Sequence, residues 1–240
     1  MRFSGPPQGE VSVPAPIVRI AEGRPVTAVW INNRGGTAFR LGQGEHYAKW
    51  APAGADLDLT AEAERLAWAA HYTPVPRPLD HGADDTGAWL VTEGLPGDSA
   101  VSPRWLADPH TAVRALGRGL RALHDRLPVE DCPFTWSVEQ RRRHPDVPAD
   151  LPGAPPVDRL VVCHGDACAP NTLLHPDGSW AAHVDLEALG VADRWADLAI
   201  GAWSTSLNFG PGWEEAFYAS YGVAPDPERI AFYRRLAGLS

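Results

Sequence analysis

Cysteine is scarce in this 240-residue chain: Cys132, Cys163 and Cys168 are an odd and small set, which excludes a disulfide framework and fits a reducing compartment. Cys163-His164 and Cys168 are closely spaced, but zinc needs four ligands and distant histidines would have to complete the set, so buried thiols are the expectation. No apolar run is long enough to cross a bilayer, which excludes a membrane-spanning helix. The opening MRFSGPPQGEVSVPAP lacks the basic region and apolar core of a secretory signal, so a cytoplasmic location is expected. Positive charge is in deficit, and the formal net charge is -9 at pH 7. That balance repels nucleic acid and anionic membranes and favours a small cationic substrate. A monomer or weak dimer is expected. With 44% hydrophobic and 21% charged residues the composition is that of a globular protein, and the length suits two tightly packed lobes.

Residues 1–16, rich in proline and glycine, read as a loose arm. β-Branched and aromatic residues then predict strands over 26–32, 37–41 and 46–50, with Asn32 to Gly36 as the first turn. Leu59, Ala63, Leu66 and Ala70 recur at helical spacing and predict a helix over 58–71. After the proline-rich TPVPRP comes a strand near 88–92, and then EGLPGD, where glycine and proline stop regular structure. The reading is a first lobe over 1–92, a hinge over 93–98 and a second lobe over 99–240. The clearest helix is 110–127, where Val113, Leu116, Leu120, Leu123 and Leu127 form an apolar stripe opposite Arg114, Arg118, Arg121 and Asp125. Residues 128–160 are crowded with proline and read as a loop, with Arg141 to Arg143 a solvated basic run. An apolar strand, 160–163, precedes a polar turn and a hairpin in which TLLH and WAAHVDL flank His175 to Gly178. Helices are expected near 193–206, 211–221 and 226–238, the last with Asp226 as N-cap and Pro227 in its first position.

The chemistry concentrates in HGDACAPN, 164–171, between that strand and that hairpin. Phosphoryl transfer needs one carboxylate to orient the attacking hydroxyl and oxygen ligands to hold Mg2+ on the phosphates of ATP or GTP. Asp166, Asn171 and Asp185 supply such a set, with Asp166 catalytic and the other two on the metal. An Asp and an Asn five apart arise by chance about once in a chain of this length, so the flanking strand, hairpin and His164 are what make the pattern specific. His164 is expected to brace the loop rather than to move a proton. A kinase also needs a cation for the phosphates, and Lys49 is the sole lysine. On the 58–71 helix Glu62 lies about 60° from the apolar face and Glu64 about 140°, which makes Glu62 the partner of Lys49. Gly35, Gly36 and Thr37 could offer backbone N–H groups to the phosphates.

VVCHGDACAPNTLL followed by HVDLEALGVADRWADLA resembles the aminoglycoside phosphotransferase family, and its 3'-phosphotransferase branch in particular; DCPFTWS and AFYRRL extend the resemblance over most of the chain. It implies a protein-kinase-like α+β fold, with a small antiparallel-sheet lobe and a mainly helical one. It also implies that the hinge near Thr92, Glu93 and Leu95 receives the purine, and that Asp193 and Asp197 tie helices to the catalytic loop. The expected activity is O-phosphorylation of an aminoglycoside or related amino sugar. The sequence departs from the family where Glu187 takes a glycine's place and Ala188 an arginine's, where the C-terminal LAGLS lacks acidic residues, and where 133–160 is short. Two alternatives follow, a metabolic small-molecule kinase of the same fold and a catalytically silent nucleotide binder.

Overall fold

In the computed structural model, which describes residues 4–239, the chain divides into two compact units. One holds the residues up to His71 together with Val75–Leu95; the other holds Tyr72–Pro74 and the chain from Pro96 onward.

The first unit is a helix α1 (Ala15–Ala21), a helix α2 (Leu59–Ala69) and five strands. These strands are β1 (Val26–Ile31), β2 (Thr37–Leu41), β3 (His46–Pro52), β4 (Pro78–Asp84) and β5 (Gly87–Glu93), all antiparallel, in the order β1-β2-β3-β5-β4. Phe39, Leu41, Ala48, Trp50 and Val91 form an apolar cluster with Ile17 and Ala21 of α1. Side chains alternate along a strand, so Lys49, between Ala48 and Trp50, points to the opposite face. There it meets Glu62 of α2, whose Leu59, Ala63 and Leu66 are buried.

Two elements of this unit were not expected. The arm read over 1–16 is tied down: Gly5 exchanges backbone hydrogen bonds with Ile31, and α1 begins at Ala15. Proline hid this helix, yet proline is tolerated in a first turn, where its missing N–H has no helical partner to lose. Residues 1–3 of that arm, and Ser240 at the end of LAGLS, lie outside the described residues. Strand β4, PLDHGAD, has almost no β-forming residues and is an edge strand, held by its ladder to β5 and by Asp84, which accepts from the Thr86 N–H at 2.8 Å.

The second unit is built on the helix α4 (Pro109–Arg126), whose expected stripe of Val113, Leu116, Leu120 and Leu123 is buried. Around it lie β6 (Asp98–Ser99), α3 (Pro103–Leu106), α5 (Val138–Arg141), β7 (Leu160–Cys163), β8 (Thr172–Leu174), β9 (Trp180–His183) and β10 (Gly190–Asp193). Three helices close the chain, α6 (Trp195–Phe209), α7 (Glu214–Tyr221) and α8 (Pro227–Leu236), and Asp226 caps α8 by accepting from the Arg229 N–H at 3.1 Å. Strands β6, β8 and β9 form one sheet, and β7 pairs with β10. β9 ends at His183, so Val184 to Leu186 are not part of the hairpin strand expected there.

The proline-rich loop is ordered by what it is bonded to rather than by any period of its own. Arg142 donates to the Leu151 and Pro152 carbonyls, Arg229 to the Pro156 carbonyl, and Arg235 pairs with Asp150. Asp158 receives Arg194 Nε at 2.7 Å and Trp195 Nε1 at 2.8 Å. Part of the run expected to be solvated, Arg142, therefore straps this loop down. Among the described residues no helix is long and apolar enough to cross a membrane.

Candidate active site

In the first unit Lys49 Nζ lies 2.6 Å from Glu62 Oε1, with the Glu62 side chain 1% exposed. A carboxylate that buried needs a cation, and its place in the first turn of α2, behind the Asp58 cap, adds the favourable end of the helix dipole. Glu64 faces solvent, as the helical angle requires. The turn at Gly35 and Gly36 departs from expectation. Gly36 N–H donates to Asn32 Oδ1 at 2.7 Å and Gly35 N–H to the Asn32 carbonyl at 3.2 Å, so both amides are engaged inside the turn and neither is presented to a phosphate. Thr37 begins β2. The 92–95 segment is fixed by backbone contacts. Thr92 is buried, Glu93 N–H donates to the Arg77 carbonyl, and Gly94 N–H donates to the Glu45 carbonyl. A Cβ on Gly94 would sit 1.8 Å from the Gly44 oxygen, so only glycine lets these two backbones meet; Leu95 follows, partly buried.

In the second unit β7 leads straight into the catalytic-type loop. Asn171 Nδ2 donates to the Asp166 carbonyl at 3.0 Å and to Asp166 Oδ2 at 3.1 Å, so the two residues five apart are in direct contact. With its nitrogen committed to Asp166, Asn171 keeps its amide oxygen as the atom a hard cation would take. Val184 N–H donates to the Asn171 carbonyl, which brings Asp185 to the same loop, with Asp185 itself at a left-handed φ of 67°. Such a backbone is unusual for a non-glycine residue, and it is held here by the structure around it. Burial pushes the Cys168 thiol well up, and the charges of Asp166 and Asp185 push it further, so both carboxylates act on the same neighbour. Asp166 is exposed.

The loop is braced from three sides. His164 Nε2 bonds the Val184 carbonyl at 3.0 Å and its Nδ1 takes the Asp166 N–H at 3.3 Å, the bracing role expected of it. Asp197 of α6 accepts the His164 N–H at 2.6 Å and the Gly165 N–H at 2.9 Å. Ser204, one helical stretch further along α6, accepts the Ala169 N–H at 2.8 Å. Gly165 has φ 85°, and a Cβ there would lie 2.3 Å from the Ala188 carbonyl, so the loop and the 184–188 segment are in close backbone contact. Asp193, at the end of β10, accepts from the N–H of Trp195, the first residue of α6, and from Asp158 N–H as well. Asp197 thus ties α6 to the 164–171 loop as expected, whereas the side-chain hydrogen bonds of Asp193 go to the start of α6 and to the proline-rich loop.

Sequence reasoning missed His124 and Tyr221. His124 lies on the buried side of α4, with Nε2 2.9 Å from Asp197 Oδ2 and Nδ1 2.8 Å from the Tyr221 hydroxyl. Helical periodicity flags the apolar side of α4 but not a polar residue among its leucines, and nothing local links 124 to 197 or 221. His124, Cys163 and Asp197 place ligand atoms within 4.8 Å of one another, but each is already hydrogen-bonded, and Cys168 is not part of the group. Burial, then the charges of Asp197 and Asp193, raise the Cys163 thiol well above its ordinary value. In the folded protein at about pH 8, a thiol reagent is therefore expected to leave Cys163 unmodified and to reach it only on denaturation. Peptide mapping of the labelled protein checks this, and rapid native labelling of Cys163 would contradict it.

The sheet-plus-helix fold and the Asp166–Asn171 loop define a protein-kinase-like phosphotransferase, and the chain belongs to the phosphotransferase enzyme family, whose pattern matches residues 19–150 and 139–233. Within that family it is an aminoglycoside 3'-phosphotransferase-like kinase. It is 39% identical over 229 residues to the aminoglycoside 3'-phosphotransferase of Streptomyces fradiae, covering 81% of this chain and 85% of that one. It is 36% identical over 255 residues to the streptomycin 3''-kinase of Streptomyces griseus, covering 89% and 91%. A solved structure of the aminoglycoside phosphotransferase APH(3'')-Id of Streptomyces rimosus, in complex with ADP and streptomycin, superposes with a TM-score of 0.66 at 32% identity, covering 84% of this chain and 89% of that chain.

Proposed function

We propose that the enzyme transfers the γ-phosphoryl group of ATP or GTP, with Mg2+, to a hydroxyl of an aminoglycoside or a related amino sugar. The observation that carries this reading is the exposed Asp166 carboxylate bonded to Asn171 on a loop that the next hairpin brings to Asp185. Asp166 orients the acceptor hydroxyl and takes its proton as the new oxygen–phosphorus bond forms and the bond to the departing diphosphate breaks. Asn171 Oδ1 and the Asp185 carboxylate are the hard oxygen donors that would hold Mg2+, which supplies charge neutralisation on the phosphates. In the first unit Lys49, steered by Glu62, contributes positive charge for the nucleotide phosphates, and Thr92, Glu93 and Leu95 form the segment that receives the purine. The acceptor class is supported by relatives named for aminoglycosides, one of them solved with ADP and streptomycin, and by a net charge of -9 that suits a polycation.

The test is nucleoside diphosphate release by purified protein, with ATP and GTP in parallel, with and without Mg2+, across kanamycin-like aminoglycosides and streptomycin. Release stimulated by one of these and abolished by chelation supports the reading; nucleotide binding without stimulation by any of them overturns the aminoglycoside acceptor. Asp185→Ala is expected to weaken Mg2+-dependent nucleotide binding by an order of magnitude or more, because a first ligand to the metal is removed. A titration showing unchanged metal dependence would count against that role.

A further inference from the structure

We infer that His124 and Tyr221 are positioning residues for phosphoryl transfer: they fix one imidazole tautomer behind the catalytic loop, and through it the carboxylate that fastens the backbone ahead of Asp166. The kinetic part of this inference rests on the phosphotransfer reading above; the anchoring part does not.

Asp197, fully buried, accepts three hydrogen bonds, from His164 N–H, Gly165 N–H and His124 Nε2. An ionised carboxylate only accepts, so His124 Nε2 must carry a hydrogen. In that tautomer Nδ1 needs a donor, and the Tyr221 hydroxyl is 2.8 Å away. A phenol that gives its hydrogen to the ring keeps its oxygen lone pairs, and the positive charge of Arg194 acts on it from nearby. Donation therefore converges on Asp197, from Tyr221 through His124 on one side and from the two loop amides on the other. The elements are α7, α4 and α6, each packed into the same core, and the rings of His124 and Tyr221 meet edge to face at 5.6 Å. Close approach of the helices makes this possible. A Cβ on Gly117 of α4 would sit 2.6 Å from the Phe217 carbonyl of α7, so a glycine brings Tyr221 within reach of His124. Without the phenol, Nδ1 of the form that Asp197 requires is left buried with no donor, and the ring is no longer held in the one orientation that aims Nε2–H at Asp197. Two amides immediately before Asp166 would then lose the rigidity of their common acceptor, which is the kind of small misplacement that costs rate rather than binding.

Tyr221→Phe keeps the ring and deletes only the hydroxyl. It is expected to lower kcat about three- to tenfold, the range of one buried hydrogen bond expressed as a rate, with KM for nucleotide and acceptor unchanged. In the same variant 15N-detected imidazole NMR should show His124 leaving its single Nε2–H form, and amide exchange at His164 and Gly165 should accelerate. Tyr218→Phe, the same deletion about one turn earlier on α7, should do none of this. His124→Gln places an amide nitrogen near the lost Nε2 and should keep more kcat and more amide protection than His124→Leu. Unchanged tautomer and exchange in Tyr221→Phe overturn the inference, as does a His124→Gln variant no better than His124→Leu. If His124→Leu does not fold, Tyr221→Phe decides alone. If the wild-type protein phosphorylates no acceptor, the phosphotransfer reading fails while tautomer and exchange still decide the anchoring.

Discussion

Asp166→Asn is expected to lower kcat by about a hundred- to ten-thousandfold while leaving nucleotide affinity close to the wild-type value. The substitution is chosen because it separates charge from shape. The replacing amide can still accept from Asn171 Nδ2 through its own oxygen, so the 3.1 Å contact that orders the loop survives. What disappears is the capacity to take a proton from the acceptor hydroxyl and the negative charge that orients it. That interaction matures only as the oxygen–phosphorus bond forms, so its loss falls on kcat rather than on the binding of either substrate. Nucleotide titration and steady-state kinetics on the same preparation check both halves. Wild-type kcat in Asp166→Asn would remove Asp166 from the reaction, whereas a loss of nucleotide affinity equal to the loss of kcat would mean that the residue acts on the ground state.

The site was legible in the sequence where its parts are close in the chain. Asp166 and Asn171 lie five apart in one loop, Asp185 is returned by a hairpin, and Glu62 follows Lys49 by a strand end and one turn of helix, so local periodicity suffices to place them. The apolar stripe of α4 was equally plain, because four leucine or valine positions at helical spacing point one way. What stayed hidden depends on distant partners. Strand β4 exists because β5 offers it a ladder, and its own Pro, Asp and Gly argue against a strand. Strand β10 carries Gly190, where a Cβ would lie 2.5 Å from the Thr135 backbone, and so reads locally as a break rather than as a strand caught between β7 and the 134–136 segment. The 144–158 loop is held by arginines from three elements, and apart from the short-range bonds of Arg142 the two ends of each bond lie far apart in the sequence. The amides of Gly35 and Gly36 show the converse error. Glycine signals backbone freedom, but Asn32 had already claimed both groups for the turn, the Gly36 amide through its side chain and the Gly35 amide through its carbonyl.

Asp197→Ala should be the most damaging single change to the fold of the second unit. It removes the common acceptor of His164 N–H, Gly165 N–H and His124 Nε2 in a place where no side chain atom is exposed, and leaves three donors without their partner. Breaking a buried, fully hydrogen-bonded pair from one side costs about 3–5 kcal/mol, a large share of the roughly 5–15 kcal/mol that holds a domain together. Asp197→Asn is milder in volume but wrong in polarity, since its NH2 must face either the Gly165 N–H or the His164 N–H together with the imidazole N–H, donor against donor. The pH dependence follows from the direction in which the carboxyl is shifted. Burial pushes Asp197 up, but the hydrogen bond and charge of His124, the charge of His164 and the Gly165 amide together bring it below its ordinary value of 3.8. The unfolded chain therefore binds that proton more readily, so the contribution is complete above the unfolded value and is lost as pH falls through the folded one. Denaturant titrations at neutral pH and across the acid limb check the assignment. The wild type should lose stability more steeply than Asp197→Asn below about pH 4, because only the wild type has this carboxylate to protonate. Parallel acid limbs in the two proteins would mean that Asp197 is not the group that holds the catalytic loop to α6.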